Sequence, residues 1–286
     1  MKCILKSNAK INLGLNVIKK RTDNYHELKM ILAPINLYDN LIINFKNELG
    51  EITLKSNLKK LELDNKNTII LAYNYFYQES NIKKRKIDIF LEKNIPHMAG
   101  LGGGSSNAAT LLKFLNKMHN DIFLTDDLMK IGLKIGADVP FFIINKTAIV
   151  KGIGEKIEVI ENNLECDIIV AKPKFGISTK EAFDSLNLKS LKEKNSIEKI
   201  IVGLRENDLR MVNENLENDI QQNLLLTNLE IIVIDKITEE IGKSFLMSGS
   251  GSSYFLLSEF EESNKILLKL KKCVKIDMVF KCSFLK

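Results

Sequence analysis

The 286-residue sequence has no tryptophan, only four cysteines and only three histidines, and these scarcities exclude several kinds of site. No two cysteines form a C-x-x-C pair, and the histidines do not have the spacing of metal ligands. A zinc site or a disulfide framework is therefore not expected, and reduced, mostly buried thiols are the better interpretation.

Long apolar runs are also missing. The first residues, MKCILKSNAKINLGLN, lack the apolar core of a secretory signal, and no later stretch approaches the ~20 apolar residues of a membrane span. We expect a soluble cytoplasmic protein with no membrane contact. The 42 basic and 36 acidic residues are interleaved, and the net charge of +6 favours an anionic ligand. A concentrated basic stripe is lacking, which argues against a nucleic-acid partner.

The apolar pattern of the first half predicts strands and helices in mixed order. Alternating apolar residues over 11–17 predict a strand with one buried face, and further strands are predicted over 41–45, 51–55 and 86–92. Three helices are predicted: one starts near Asn67, one ends at Met118 and one runs over 126–136 and stops at Gly136. A hairpin follows over residues 147–160, around two glycines.

The second half continues the mixture, so the predicted fold class is α+β. We predict a strand over 166–173, a short helix over 178–186, one longer helix over 196–212 and a helix ending at Gly242. A strand, turn and strand over 244–257, a charged helix and a last strand near 275–281 complete the chain. The hairpin marks the predicted boundary between a domain of residues 1–152 and a domain of residues 153–286.

One segment, GLGGGSSNAATLLKFLNKM, residues 100–118, points to a ligand. Its second half is an amphipathic helix, and a helix start offers free N–H groups and partial positive charge. Glycines allow close approach and serines add hydroxyl donors, so the segment suits a phosphate. A Walker loop would need a lysine after the glycines, and Ser105 replaces the third glycine of a Rossmann loop. A flexible loop before a capped helix is the alternative.

Three segments together carry a family resemblance. PHMAGLGGGSSNAA (Pro96–Ala109) resembles the phosphate-binding motif of the GHMP kinases, AKINLGLNV (Ala9–Val17) their first motif and LMSGSGSSYF (Leu246–Phe255) their third. They occur in the family's order across almost the whole chain. The resemblance implies two GHMP kinase domains, the first of them binding ATP and catalysing, with the active site in a cleft between them.

The resemblance also implies the ATP-binding residues and a metal ion. Mg²⁺ is expected because ATP is used, with Ser105 or Ser106 as a ligand. The residues expected to bind ATP are Asn67, Pro96, His97, Met98, Ala99, Gly100, Leu101, Gly102, Gly103, Gly104, Ser105 and Ser106.

Within the family, AKINLGLNVIKKRTDNYHEL and GADVPFF are similar to the branch that phosphorylates CDP-methylerythritol in non-mevalonate isoprenoid synthesis. That branch has an R-x-D-G segment before Tyr-His, and Asn24 replaces the glycine here. The resemblance implies that Asp138 is the general base and Lys10 its cationic partner. It implies substrate contacts at Asn12, Tyr25, His26, Phe183 and Gly249, with the aromatic rings at the cytosine.

Other interpretations remain. Another GHMP kinase, such as mevalonate or homoserine kinase, shares the three motifs, although the Tyr25–His26 pair and GADVP argue against it. A non-catalytic nucleotide sensor or RNA-binding protein is less favoured because Lys10 and Asp138 are both present. Taken singly, Asp138 is more typical of a turn cap and Lys10 of a lysine extending into water. Phe183 is equally typical of a helix core. No obligate protein partner is evident.

Overall fold

A computed structural model describes residues 1–23, 25–184, 186–187, 195–226, 228–243 and 245–286. The Asn24 substitution lies outside the described residues. The chain divides into two compact units: unit 1 is Met1–Ala9, Leu37–Ile95 and Gly102–Asn145, and unit 2 is Lys10–Asn36, Pro96–Leu101 and Lys146–Lys286. The predicted boundary at 152/153 does not coincide with this division, since unit 2 includes two earlier segments, and it stays a prediction.

Two long strands, β1 (Lys2–Lys20) and β2 (His26–Leu49), contribute residues to both units. The predicted strand over 11–17 lies within β1, but the expectation of one buried face is wrong. Residues 11–15 are all buried, including Asn12. The second face is covered because Ile197 packs on it: a Cβ built on Gly14 would lie 3.3 Å from Cγ1 of Ile197.

Unit 1 combines part of a seven-stranded sheet with four helices. Strand β3 (Ile52–Ser56) runs parallel to β4 (Arg85–Glu92), which runs antiparallel to residues 40–49 of β2. The helices are α1 (Thr68–Ser80), α2 (Gly103–Met118), α3 (Thr125–Ile135) and α4 (Val139–Ile144). The first three confirm the predicted helices.

The core of unit 1 is aromatic where the sheet meets the helices. Phe45 of β2 packs edge to face on Phe114 of α2, with ring centroids 5.9 Å apart. Phe76 of α1 is fully buried. This packing fixes the position of α2, whose first turn contains the glycines.

Unit 2 begins with the predicted hairpin. Strand β5 (Ala148–Gly152) is antiparallel to β6 (Lys156–Val159) and to residues 28–32 of β2. A short strand, β8 (Glu217–Asn218), runs parallel to β1, with Gly14 opposite Glu217. The sequence pattern did not indicate β8, which has only two residues.

A second, antiparallel sheet forms the rest of unit 2 in the order β11–β7–β10–β9. Its strands are β7 (Asp167–Pro173), β9 (Leu246–Met247), β10 (Tyr254–Ser258) and β11 (Ile276–Cys282). The helices described in unit 2 are α5 (Thr179–Asp184), α6 (Ser196–Glu206), α7 (Leu209–Asn215), α8 (Asp219–Leu224), α9 (Leu229–Ile241) and α10 (Phe260–Lys271).

The single helix predicted over 196–212 is wrong, because α6 ends at Glu206 and α7 begins at Leu209. Asn207 adopts a left-handed conformation, with φ of 58°, and ends α6. The Asp208 side chain accepts a hydrogen bond from Met211 N at 2.8 Å and caps α7. An Asn-Asp pair is well suited to such a break, because both residues favour turns and caps over helix interiors.

The mixture of strands and helices confirms the α+β class. Across the described part of the chain, no helix is long and apolar enough to span a bilayer.

Candidate active site

Helix α2 starts inside the glycine-rich segment. Gly102 is its N-cap with φ of 70°, and Ser106 N donates to Gly102 O at 2.9 Å. The N–H groups of Gly103, Gly104 and Ser105 therefore precede the helical ladder and have no acceptor within the helix. Together with the helix dipole they can bind an anion such as a phosphate. Residues 103–106, the last four of the stretch expected to bind ATP, are thus the first turn of a helix.

The two serines of this turn differ in their surroundings. Ser106 is buried, and its Oγ accepts a hydrogen bond from Ser7 Oγ at 2.8 Å. Ser105 is half-exposed. Ser105 therefore has the hydroxyl that a ligand can reach, whereas Ser106 holds the helix start in place.

A buried polar network supports the start of α2. Asp39 Oδ1 accepts from Asn94 N and Ile95 N, each at 2.8 Å, while its Oδ2 accepts from Asn107 Nδ2 at 2.9 Å. Lys93, only 6% exposed, forms an ion pair with Asp39. A Cβ on Gly103 would lie 3.0 Å from Lys93 Nζ. The network thus joins α2 to the segment before Pro96.

Lys93 is a functional candidate that the sequence interpretation missed. Its ammonium lies next to the first residue of α2, where a phosphate would bind, and its ion pair with Asp39 ties this helix start to the buried network. The available signal was a lysine three residues before Pro96, in EKNIP. Lysines are too frequent in this chain for that signal to stand out.

Asp138 lies in the turn between α3 and α4 and is the N-cap residue of α4. Val139 N donates to Gly136 O at 3.1 Å and closes this turn. A Cβ built on Gly136 would lie 3.7 Å from Ser105 Oγ. The turn that carries Asp138 therefore packs against the first turn of α2, and the half-buried Asp138 carboxylate belongs to the same region as the free N–H groups.

Asn67 and Thr68 form the start of α1. Asn67 Oδ1 accepts from Ile69 N at 3.0 Å, and its Nδ2 donates to Glu62 O at 2.8 Å. Thr68 Oγ1 donates to Gly104 O at 2.8 Å. The Asn67 side chain thus caps α1, and the neighbouring threonine ties α1 to the glycine turn.

Lys10 is 3% exposed, so it does not extend into water. Its Nζ donates to Asn12 Oδ1 at 2.5 Å, and its backbone N donates to Leu101 O at 3.0 Å. A Cβ on Gly249 would lie 3.2 Å from Lys10 Nζ and 3.3 Å from Asn12 Oδ1. Three predicted site residues of unit 2, Lys10, Asn12 and Gly249, are therefore in one cluster.

The third motif also contacts the segment before the glycine turn. Ser248 Oγ donates to Gly100 O at 3.0 Å, and Ser253 N donates to Ala99 O at 3.1 Å. Gly100, with φ of 73°, has no room for a side chain, because a Cβ would lie 2.0 Å from Ser248 O. Gly100 is therefore required by a close backbone approach.

The other residues of the segment 96–101 differ in exposure. Pro96, Ala99 and Leu101 are buried, whereas His97 and Met98 are exposed. Leu101 contributes its carbonyl to Lys10, so part of the segment acts through its backbone.

His26 and Phe183 are stacked, with ring centroids 5.3 Å apart and an interplanar angle of 23°. Burial, with a smaller effect of Lys20, lowers the pKa of His26 below its usual value, and Asp184 opposes this. Tyr25 is 60% exposed, and its backbone N donates to Asp23 Oδ1 at 3.1 Å. Two of the three rings expected at the cytosine, from segments far apart in the sequence, are thus adjacent.

Each unit contains part of the predicted site. Unit 1 has Asn67, Asp138 and residues 102–106, and unit 2 has the Lys10 cluster, the His26–Phe183 pair and residues 96–101. In the described residues, no three His, Cys, Asp or Glu side chains are grouped so that they could hold a metal ion.

Comparison with known proteins identifies the family of the chain. Residues 67–146 match the family model for the GHMP kinases N terminal domain. The chain is similar to 4-diphosphocytidyl-2-C-methyl-D-erythritol kinase of Fusobacterium nucleatum, with 43% identity over 272 residues, covering 94% of this chain and 92% of the relative. The corresponding protein of Clostridium novyi is 40% identical, covering 93% of this chain and 92% of the relative.

A solved structure has the same fold over the full length. The crystal structure of a 4-(cytidine 5'-diphospho)-2C-methyl-D-erythritol kinase superposes with a TM-score of 0.81 and 26% identity, covering 99% of each chain. The predicted family is confirmed: the chain belongs to the 4-diphosphocytidyl-2-C-methyl-D-erythritol kinases of the GHMP kinase superfamily.

Proposed function

We propose that this chain transfers the γ-phosphoryl group of ATP to the 2-hydroxyl of 4-diphosphocytidyl-2-C-methyl-D-erythritol. The products are the 2-phosphate and ADP, and the reaction belongs to non-mevalonate isoprenoid precursor synthesis. Phosphoryl transfer depends mainly on positioning and on neutralising charge, and the residues of both units supply groups of this kind.

The observation that carries the proposal is the contact between two parts of unit 1. The glycine-capped start of α2 presents unpaired N–H groups, and the turn with Asp138 packs against Ser105 in that same turn of helix. The anion-binding start of α2 and the turn that carries the proposed base are therefore in contact. The Lys93–Asp39 ion pair beneath Gly103 holds this helix start in position.

Asp138 is assigned the role of general base. It accepts the proton of the acceptor hydroxyl as the oxygen attacks the γ-phosphorus, and ADP leaves with the bridging oxygen. Its position in a tight turn before α4 supports the role, because the turn limits the movement of the carboxylate.

Lys10 is assigned the role of a buried cation that orients the acceptor and stabilises developing negative charge. The hydrogen bond from its Nζ to Asn12 supports this assignment, since it fixes the ammonium in one direction. The close approach of Gly249 limits the space beside the ammonium.

Recognition of the cytosine is assigned to Tyr25, His26 and Phe183. The stacked pair of His26 and Phe183 presents an aromatic surface, and the exposed ring of Tyr25 is available to stack on a pyrimidine. Histidine also donates and accepts hydrogen bonds at a base edge. Contact of the adenine with the region of Asn67 remains a prediction.

A Mg²⁺ ion fits the donor set only in part. Ser105 is the residue that would hold it, because the Ser106 hydroxyl is buried and bonded to Ser7. With no grouped carboxylates among the described residues, most of its ligands would come from phosphate oxygens and water. When bound, the ion neutralises charge on the β- and γ-phosphates.

The experiment is an ADP-release assay of the purified protein with CDP-methylerythritol, mevalonate and homoserine as separate acceptors. We expect turnover with CDP-methylerythritol alone and a phosphomonoester on its 2-hydroxyl by ³¹P NMR. Turnover with only mevalonate or homoserine would contradict the substrate assignment, and release of ADP without an acceptor would contradict kinase activity.

A further inference from the structure

Three consecutive polar residues outside the predicted site, Glu217, Asn218 and Asp219, are all buried. Glu217 accepts from Asn16 Nδ2 at 2.7 Å, and Asp219 Oδ2 accepts from Val17 N at 2.8 Å. Both carboxylates therefore bind β1 at Asn16 and Val17, a few residues after Lys10 and Asn12. Polar residues are rarely buried without such partners, so the run has a specific task.

Asn218 is the most completely bonded of the three. Its Nδ2 donates to Met247 O at 2.7 Å and to Gly249 O at 2.8 Å. Its Oδ1 accepts from Ile220 N at 2.9 Å and from Gln221 N at 3.1 Å, which caps α8. With 0% exposure, all four hydrogen-bonding positions of the amide are filled by backbone groups.

The carbonyls that Asn218 holds flank Ser248 in the third glycine motif. Gln221 adds a bond to the same turn, because Met247 N donates to Gln221 Oε1 at 2.6 Å. Gly249 itself has φ of 59°, so this turn has a conformation that few residues other than glycine adopt. The position of the turn therefore depends on the side chain that binds the carbonyls of Met247 and Gly249.

The next link leads to the catalytic lysine. The Cα of Gly249 faces Lys10 Nζ and Asn12 Oδ1, since a Cβ there would lie 3.2 and 3.3 Å from them. A shift of the turn by about 1 Å would open or close the space beside the ammonium. Displacements of this size in positioning groups can lower turnover on the order of 10².

We propose that Asn218 is a positioning residue for phosphoryl transfer. It holds the Met247–Gly249 turn against the Lys10–Asn12 pair and so keeps the lysine ammonium in one direction. This inference rests on the proposed role of Lys10. Two consequences distinguish it from a purely structural role: Lys10 becomes locally accessible when Asn218 is changed, and kcat falls while KM for ATP does not rise.

The test variant is Asn218→Ser. Serine keeps the N-cap function for α8 but is too short to reach both carbonyls. The matched control is Asn228→Ser, because the Asn228 side chain likewise accepts from two backbone N–H groups, those of Glu230 and Ile231, at the start of α9. If Asn218→Ser does not fold, Asn218→Asp is used in every measurement instead, because aspartate retains the cap oxygen and has nearly the same volume.

The first measurement does not depend on activity. Reductive dimethylation of each lysine is followed by peptide mass spectrometry, with the buried Lys93 as an internal reference in unit 1. In Asn218→Ser we expect Lys10 to be labelled about fivefold faster or more, with Lys93 unchanged. Unchanged labelling of Lys10, or equal increases at both lysines, would overturn the inference.

The second measurement is steady-state kinetics with CDP-methylerythritol. We expect Asn218→Ser to lower kcat by about tenfold or more, with KM for ATP within about twofold of the parent. Asn228→Ser should leave both values near the parent. A kcat of Asn218→Ser equal to that of the control would overturn the inference.

The third measurement is a double-mutant cycle with Gly249→Ala. If Asn218 acts through the turn, the double variant loses less kcat than the product of the two single losses. Multiplicative losses would overturn the inference. If Lys10 is labelled faster in Asn218→Ser than in the parent, but the parent does not turn over CDP-methylerythritol, the proposed function alone is refuted.

Discussion

Lys10 and Asn12 illustrate how a strand delivers polar groups into the protein interior. The spacing of two residues places both side chains on the same face of β1, and the hydrogen bond from Lys10 Nζ to Asn12 Oδ1 compensates for part of the lost hydration. Leaving a buried ammonium without this acceptor would cost more than the hydrogen bond itself contributes. The pair therefore functions as a unit.

Replacing Asp138 by Asn tests the general base. Asparagine preserves the size of the side chain but cannot accept the proton, so we expect kcat to fall by at least ~10² with little change in ATP affinity. Steady-state kinetics and calorimetric titration with a non-hydrolysable ATP analogue measure the two effects. Asp126→Asn, at an exposed position in the first turn of α3, is the control. Near-normal turnover of Asp138→Asn would rule out the assignment.

The lowered pKa of His26 predicts a pH effect on acceptor binding. Burial and Lys20 favour the neutral ring, so His26 is neutral at pH 7 and becomes charged only as the pH falls below its usual value of about 6.5. The unfolded chain binds this proton first, and the contribution of His26 to the free energy of unfolding is therefore complete above pH ~6.5 and lost as the pH falls.

We accordingly expect KM for CDP-methylerythritol to rise below pH ~6 while KM for ATP does not follow the same curve. NMR titration of His26 and initial rates between pH 5 and 8 measure these quantities, in ranges set by the usual pKa of about 6.5. His26→Phe retains a ring on Phe183 and removes the titration. If KM for the acceptor keeps its pH dependence in that variant, another group is responsible.

The first turn of α2 has close neighbours on two sides, the expected phosphates on one and buried side chains on the other. Outside, its N–H groups face the expected phosphates. On its buried side, Gly103 packs on Lys93 and Ile95: a Cβ built on Gly103 would lie 3.0 Å from Lys93 Nζ and 3.1 Å from Ile95 Cγ2. A side chain at 103 would therefore be crowded, and Lys93 or Ile95 would have to shift to accept it.

Gly103→Val should therefore weaken ATP binding. The β-branched side chain would crowd Lys93 and Ile95, and overpacking of this kind lowers the free energy of unfolding by about 1–3 kcal/mol. It would also shift the N–H groups expected to bind phosphate, so we expect the Kd for ATP to rise by about tenfold. Isothermal titration with an ATP analogue and thermal unfolding measure the effects on binding and stability. Gly176→Val is the control, since a Cβ on Gly176 meets nothing within 4 Å. Equal affinity of the two variants would contradict the role of the helix start.

The break between α6 and α7 shows where a periodic pattern misleads. Apolar residues continue at helical spacing through the break, so the pattern predicts one helix. Val212 instead returns against Gly203, where a Cβ would lie 2.7 Å from Val212 Cγ2. Only the packing of the second segment back on the first distinguishes two helices from one.

Across the whole molecule the cysteines provide a probe of folding. Burial raises the pKa of Cys166, with a smaller contribution from Asp167, and that of Cys282, each to about 12. Cys3 and Cys273 are half-exposed. At pH 8 we expect these two to react with a disulfide reagent in the native protein and all four to react after unfolding. Timed reaction with peptide mass spectrometry measures each thiol. Native reactivity of Cys166 or Cys282 equal to that of Cys273 would contradict the described core.

Much of the architecture follows from local pattern. The start of α1 at Asn67, the hairpin of β5 and β6 and the amphipathic helix α2 were all predictable, because caps, turn glycines and apolar periodicity act between residues near in sequence. The expected burial of one face of β1 was wrong, since a remote helix covers the other face. Lys93 and Asn218 were missed because their partners are far away along the chain.

The sequence by itself determined most of the local elements and the three motifs that indicate the family. Only the tertiary structure decided that Ser105 rather than Ser106 is accessible, that Lys10 is buried against Asn12 and Gly249, and that Asn218 holds the turn beside them. The reason is physical: burial and hydrogen-bond partners are set by segments distant in sequence, and no local pattern specifies which of those segments will meet.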